Sequence, residues 1–446
     1  MGTSRSYFLF SVSTPTCLHS SEDTDHNVGE TSGQVQPGRR PNNPEKEYYT
    51  VHSDGYCRSV NWYYSPMSRV RVAVIGGGAA GLCAARHLAA NPRQFEFRVF
   101  EQWGDIGGTW CYTEMTGTDE YGVPIHSSMY KNLKTNVPKE IMPFPDFPFH
   151  DTETSFVHHT DVLKYLKEYA RHYDLNKHIR LRTLVKKVHP FKGESGKTIW
   201  NVVIQDVETK VEEEVDFDAV MVCNGHYSVP YIPEIEGIKQ FSGIVQHSKD
   251  YRSSAQYRNL RVVILGAASS GVDIAKEVSG VADKVSYKFN FPFLTPECQV
   301  RIEGRRVIPL YKHLIHTGLP TICFVGLPFQ VLPFPLFHFQ ILYFLKTLDG
   351  SITLPSKDEM DEDSEKDFQR RLAMDMPPTC AHKMGSLQWD YFGELADCMG
   401  LTRLPPVVRM VYDYVADRRK EDLMHYKTES YTLLDQGHFE KKQVSP

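Results

Sequence analysis

Apolar and polar positions repeat with two different periods along this chain, and the changes between them lay out its elements. The body starts abruptly at Arg69. Residues 70–75 form a short β-type run, the turn Gly76-Gly77-Gly78-Ala79-Ala80-Gly81 follows, and residues 79–90 are good helix formers. Residues 96–100 then alternate polar and apolar, as a second strand does. Strand, glycine turn, helix and strand in that order predict a dinucleotide-binding βαβ unit. Farther on, residues 199–207 and 211–216 predict a β-ribbon, and 217–223 a buried strand closed by Asn224-Gly225. A second βαβ start is predicted at 261–265, with Gly266-Ala267-Ala268-Ser269-Ser270-Gly271 and a helix over about 272–278. Helices are clearest over 363–374 and 387–399, and residues 437–446 read as a frayed tail. Residues 1–68 are rich in Ser, Thr, Gly, Pro and Asn without sustained periodicity, and read as largely disordered.

Residues 319–345 contain no Lys, Arg, Asp or Glu, long enough to span a bilayer. Pro320, Pro328, Pro333 and Pro335 interrupt the run, and each removes a backbone donor that a lipid-exposed helix needs. Buried strand and loop is the better reading, with no firm membrane insertion. The aromatic cluster from Phe334 to Phe344 leaves room for looser surface association. A net charge of −5 over 446 residues gives no reason to expect nucleic acid. Nine cysteines without a C-x-x-C pair read as free thiols in a reducing compartment, and no metal site is expected.

The first glycine loop has the residue types that a pyrophosphate requires. Gly76 permits the tight turn, Gly78 leaves no Cβ in the way, and Gly81 lets helix pack on strand. The helix N-terminus then offers unpaired N–H groups to the anion. Glu101 ends the second strand, placed to accept hydrogen bonds from ribose hydroxyls. An acid there disfavours a 2′-phosphate, so this site suits FAD or NAD rather than NADP. Gly107, Gly108 and Trp110 suggest a second close approach, toward a flavin. In the second loop Ala268 replaces the middle glycine. Gly266, Ser270 and Gly271 are still the candidates there for a nicotinamide nucleotide.

Upstream of that loop stand Phe241, Gly243, His247 and Tyr251, in the pattern F-x-G-x-x-x-H-x-x-x-[Y/F]. With Glu101, Gly107, Gly108 and Trp110, and with the run from Thr135-Asn136 to Phe149, these residues make the chain resemble the flavin-containing monooxygenases. The likeness is to their glucosinolate S-oxygenase-like and alkaloid N-oxygenase-like branch. Tyr251 argues against the Baeyer–Villiger relatives, which carry Trp there. The resemblance implies an α/β fold of two Rossmann-like domains, the FAD domain interrupted by the NADP domain. It implies FAD and NADP as cofactors, O₂ as co-substrate, and a small amine or sulfide oxygenated through a C4a-hydroperoxyflavin. Asn136 matches the family's amide at the flavin and oxygen site. A cytoplasmic protein, in the cell or at the surface of the endoplasmic reticulum, fits this reading.

The expected layout is an extension over 1–68, FAD-binding residues 69–227, a shortened NADP-binding segment 228–290, and a return to the FAD domain over 291–446. The shortening follows from fifteen residues separating Gly271 from Tyr287, where a βαβ unit alone takes roughly 30 or more. In the family, a stretch like 287–294 follows a later strand. An internal deletion on the order of 50 residues, one to two such pieces, is expected. It opens two alternatives: a flavin-binding protein with little or no turnover, or a leaky NADPH oxidase.

Overall fold

The computed structural model describes residues 69–230, 238–265, 273–274, 278, 289–422 and 425–443, and the backbone of 6–10. The first element departs from the sequence reading: β1 (Ser6–Phe10) lies inside the segment expected to be disordered and forms a strand.

The central sheet grows from β2 (Val70–Ile75), which is apolar toward both faces. Val72 and Val74 enter one core cluster, and Ala73 and Ile75 the other. This is the burial pattern of an interior parallel strand. β3 (Phe95–Phe100) pairs parallel with it along its whole length, Val70 opposite Phe95 and Ile75 opposite Phe100. A parallel pair needs a crossover, and α1 (Ala79–Ala89) provides it. β4 (Ile179–Arg180) closes the β3 edge.

β5 (Thr183–Lys192), β6 (Thr198–Asp206) and β7 (Glu212–Phe217) form a separate antiparallel sheet. Its buried Trp200 and Phe217 belong to the cluster of Ala73 and Ile75. β8 (Ala219–Val222) then pairs parallel with β2. β9 (Ile244–His247) and β10 (Arg261–Leu265) lie either side of β1, both parallel to it. Two strands adjacent in sequence thus share a neighbour from the far N-terminus.

The chain returns through a small hairpin, β11 (Arg301–Glu303) with β12 (Arg306–Ile308). β13 (Leu310–Tyr311), β14 (Ile315–His316) and β15 (Ile322–Phe324) follow, and β15 docks parallel on β8. The finished sheet has the order β13-β14-β15-β8-β2-β3-β4. Helices α1, α2 (His159–His172), α3 (Pro333–Leu348), α4 (Lys357–Ala373), α5 (Gln388–Met399) and α6 (Pro406–Glu421) all bury residues in the core cluster of Val72 and Val74. A terminal hairpin, β16 (Glu429–Leu433) with β17 (Phe439–Gln443), stands where a frayed tail was expected.

α3 corrects the reading of residues 319–345 as strand and loop alone. Only 322–324 are strand, and a helix begins at Pro333. Pro333 and Pro335 fall in its first turn, where the backbone N–H has no intrahelical acceptor and proline is tolerated. Phe334, Phe339 and Phe344 are buried in the main core rather than presented to a membrane. Among the described residues no helix is long and apolar enough to cross a membrane.

Candidate functional site

The parallel strands β3, β2, β8 and β15 end on one edge of the sheet, and each is followed there by a residue of interest. Gly76 follows β2, Glu101 follows β3, Cys223-Asn224 follows β8 and Val325-Gly326 follows β15. Open α/β sheets place their ligands at this carboxyl edge.

Gly76 turns with φ +108°, a region side chains avoid, and a Cβ on it would lie 2.6 Å from the Cys223 carbonyl oxygen. Gly81 is more constrained: its Cβ would lie 1.8 Å from the Gly76 carbonyl oxygen. The first turn of α1 therefore rests directly on the loop. Gly78 and Gly108 face one another, since a Cβ on Gly108 would come 2.9 Å from the Gly78 Cα. The two predicted glycine turns thus form one bare-backbone cradle. α1 has no side-chain N-cap and no acid in its first turn, so its leading N–H groups are left to an anion. This arrangement fits the pyrophosphate of a dinucleotide.

Glu101 is buried, and both carboxylate oxygens are held by backbone donors. The Gly77 N–H donates to Oε2 at 2.6 Å and the Trp103 N–H to Oε1 at 2.7 Å. A carboxylate offers about four lone-pair sites, so capacity remains for ribose hydroxyls. Gly107 donates its N–H to the Gly77 carbonyl at 3.0 Å, which joins the two turns. Trp110 is half-buried against the main core. His126 and Ser127, which sequence reasoning missed, pin the second turn. His126 Nε2 donates to the Gly108 carbonyl at 2.9 Å, and the Ser127 hydroxyl to the Thr109 carbonyl at 2.8 Å.

Asn136 is half-buried, and its Oδ1 accepts a hydrogen bond from the Tyr426 hydroxyl at 3.0 Å. Burial raises the Tyr426 pKa, which keeps the phenol protonated and donating. The amide is thereby oriented with its NH₂ as the group left to donate. The next residue, Lys427, donates to the Lys134 carbonyl at 3.1 Å and pairs with Asp273 at 2.9 Å. Tyr130 also donates to Asp273, at 3.0 Å. Two adjacent C-terminal residues therefore tie the Asn136 loop to the segment that follows the second glycine loop. Gly266, Ser270 and Gly271 themselves lie outside the described residues, as does the stretch from 279 to 288 that was read as shortened.

Of the fingerprint residues, Tyr251 is fully buried, edge-on to Tyr130 at 5.7 Å and stacked with Tyr257. His247 caps the turn after β9, accepting from the Lys249 N–H at 3.0 Å. Burial pushes its pKa down to about 4, which keeps it neutral and accepting. Arg252, beside Tyr251 but unremarked in the sequence, is buried and donates to the Met115, Lys249 and Tyr251 carbonyls. It fastens this segment to the 115–131 loop. A cavity of about 1150 Å³ lies elsewhere, against Arg306, His313, Asp367 and Arg371, and takes in none of the predicted site residues.

A family profile described as flavin-binding monooxygenase-like matches residues 69–286. The flavin-containing monooxygenase FMO GS-OX-like 2 of Arabidopsis thaliana is 33% identical, the match covering 74% of this chain and 85% of that protein. FMO GS-OX4 of the same plant is 32% identical, over 75% of this chain and 86% of its own. The structure of S-allyl-L-cysteine S-oxygenase from Allium sativum superimposes with a TM-score of 0.75 at 31% identity, covering 80% of this chain and 95% of that one. The GS-OX-like 2 match runs over 402 aligned positions, yet 74% of 446 residues is only about 330. Within the matched span that relative has about 70 positions with no counterpart here, the size of two βαβ pieces of roughly 30 residues or more each.

Proposed function

Because the chain belongs to the flavin-binding monooxygenase-like family, a group of flavoprotein oxidoreductases with FAD and NADP as cofactors, we propose that it oxygenates a soft sulfur or nitrogen of a small molecule at the expense of NADPH and O₂. The likeness to S-allyl-L-cysteine S-oxygenase favours sulfur. Gly76, Gly78, Gly81, Gly107, Gly108 and Glu101 hold the FAD pyrophosphate and ribose, with Trp110 on the flavin side. Gly266, Ser270 and Gly271 serve the nicotinamide nucleotide. Bound FAD supplies the oxygen activation.

What the chain's own residues add is position and exclusion of water. The single observation that carries the reading is the Tyr426–Asn136 hydrogen bond beside the Lys427–Asp273 pair. It holds a side-chain amide in one orientation next to the element that would carry NADP. An amide donates a hydrogen bond without transferring a proton, as suits a site that must keep activated oxygen from discharging to water.

The test is anaerobic titration of the purified flavoprotein with NADPH. Bleaching of the flavin, followed by sulfoxide or N-oxide formation in air, supports the proposal. The shortfall of about 70 aligned positions, which is on the scale of two βαβ pieces, favours a second reading, a flavin-binding protein with impaired NADPH use. That reading predicts bleaching by dithionite but not by NADPH. Bleaching by NADPH with hydrogen peroxide as the sole product would mark a leaky oxidase instead.

A further inference from the structure

One side-chain cluster has no task in the oxygenation chemistry. Cys83 and His87 stand one helical turn apart on α1 and so share a face, and His338 meets them from α3. One ligand-type atom from each lies within 4.8 Å of the others. His87 Nε2 is 3.2 Å from His338 Nδ1, and the rings meet edge-on at 4.9 Å between centroids. We propose that Cys83, His87 and His338 form a zinc site that braces α1 against α3.

The distances suit the metal. With Zn–N about 2.0–2.1 Å, two nitrogens of a tetrahedral site stand roughly 3.3 Å apart, which is the spacing already present. With Zn–S about 2.3 Å, the sulfur should stand roughly 3.5 Å from each nitrogen, so Cys83 Sγ has at most about 1.3 Å to close. Thiolate and neutral imidazole are both zinc donors, and with three of them from the chain a water would take the fourth tetrahedral position. A hydrogen bond between two rings needs no thiol beside it.

A second observation comes from Asp146. Both its carboxylate oxygens are buried without a hydrogen-bond donor, although Arg86 lies 3.1 Å away. This carboxylate is within electrostatic reach of both Cys83 and His338. Arg86 balances the charge of this partly exposed side chain, and a dication nearby would be attracted to it as well. On binding, the Cys83 S–H bond breaks, the sulfur's electron pair goes to zinc, and the proton leaves to solvent. Nothing is oxidised or reduced. The brace would steady the helix whose N-terminus faces the cradle.

The test is metal analysis of the intact flavoprotein, expressed with zinc and dialysed without chelator. About one zinc per chain is expected in the wild type and in Cys398→Ser, whose thiol is exposed and remote in role. A loss of tenfold or more is expected in Cys83→Ala and His338→Gln. Cobalt loaded into the wild type gives a readout that does not depend on any variant folding. Tetrahedral thiolate–cobalt bands beyond the flavin absorption support the site, and their loss in Cys83→Ala assigns it. Wild-type protein that holds no zinc and shows no cobalt bands overturns the proposal. So does zinc content unchanged in both ligand variants.

Discussion

Replacing Gly81 by alanine tests the cradle at its tightest point. The new methyl carbon would lie 1.8 Å from the Gly76 carbonyl oxygen, where carbon and oxygen normally keep a van der Waals distance near 3.5 Å. Relief requires a displacement of roughly 1.5 Å, and both partners are backbone, so no rotamer change supplies it. α1 is also buried nearly all round, through Leu82, Cys83, Ala84, Ala85 and Leu88. Moving it disturbs a core packed at crystal-like density. Overpacking typically costs about 1–3 kcal/mol and occasionally more, and a clash of two backbones belongs at or above the top of that range. The expected outcome for Gly81→Ala is a Tm lower by several degrees and flavin occupancy at least tenfold below wild type. Occupancy is read from the flavin-to-protein absorbance ratio after gel filtration. Gly437→Ala is the control, since a Cβ there meets only Asp435 Oδ1 at 3.9 Å. Wild-type flavin content and Tm in Gly81→Ala would refute the reasoning.

Three further outcomes follow from the same geometry. Glu101→Gln sets an amide NH₂ against one of two backbone N–H donors. It forfeits a charge-assisted bond of about 1.5–3 kcal/mol, so FAD affinity measured by fluorescence quenching should fall on the order of tenfold or more. Tyr426→Phe frees the Asn136 amide. FAD content should hold while the fraction of NADPH converted to oxygenated product falls severalfold and hydrogen peroxide rises; unchanged coupling would remove Asn136 from the account. His316 is buried, and its Nδ1 accepts from the Gly318 and Leu319 N–H groups, at 3.1 and 2.9 Å. Burial pushes its pKa down to about 4 from an ordinary 6.5. Between these values the unfolded chain binds more protons, so the contribution to stability is whole above pH 6.5 and is lost as pH falls toward 4. The loss approaches roughly 3 kcal/mol, and His316→Asn, which keeps an acceptor, should flatten the fall of Tm across that window.

What could be read from the sequence was local. The strand at Val70, the turn from Gly76 and the helix from Ala79 are legible because buried strand, glycine and helix former change within a dozen residues. Glu101 is legible because its place is set by the length of one βαβ unit. Pro333 and Pro335 misled because a proline marks a break or a first turn equally well, and only the packing of α3 decides which. Tyr426 was invisible because it meets Asn136 across 290 positions, and no local period marks such a pairing. His126 and Ser127 were hidden for a milder reason: they act through backbone carbonyls 18 residues away. The strand at Ser6–Phe10 has an apolar stretch too short to separate from its polar surroundings until β9 and β10 flank it.

The central claim, that this chain places FAD, NADPH and a soft nucleophile in one oxygenating site, is tested most directly by isotope transfer. Purified flavoprotein is mixed with NADPH, a simple thioether and ¹⁸O₂, and the product is weighed by mass spectrometry. The account predicts a sulfoxide carrying one labelled oxygen, with NADPH consumed in step. Unlabelled sulfoxide, or NADPH consumption that ends only in hydrogen peroxide, would contradict it.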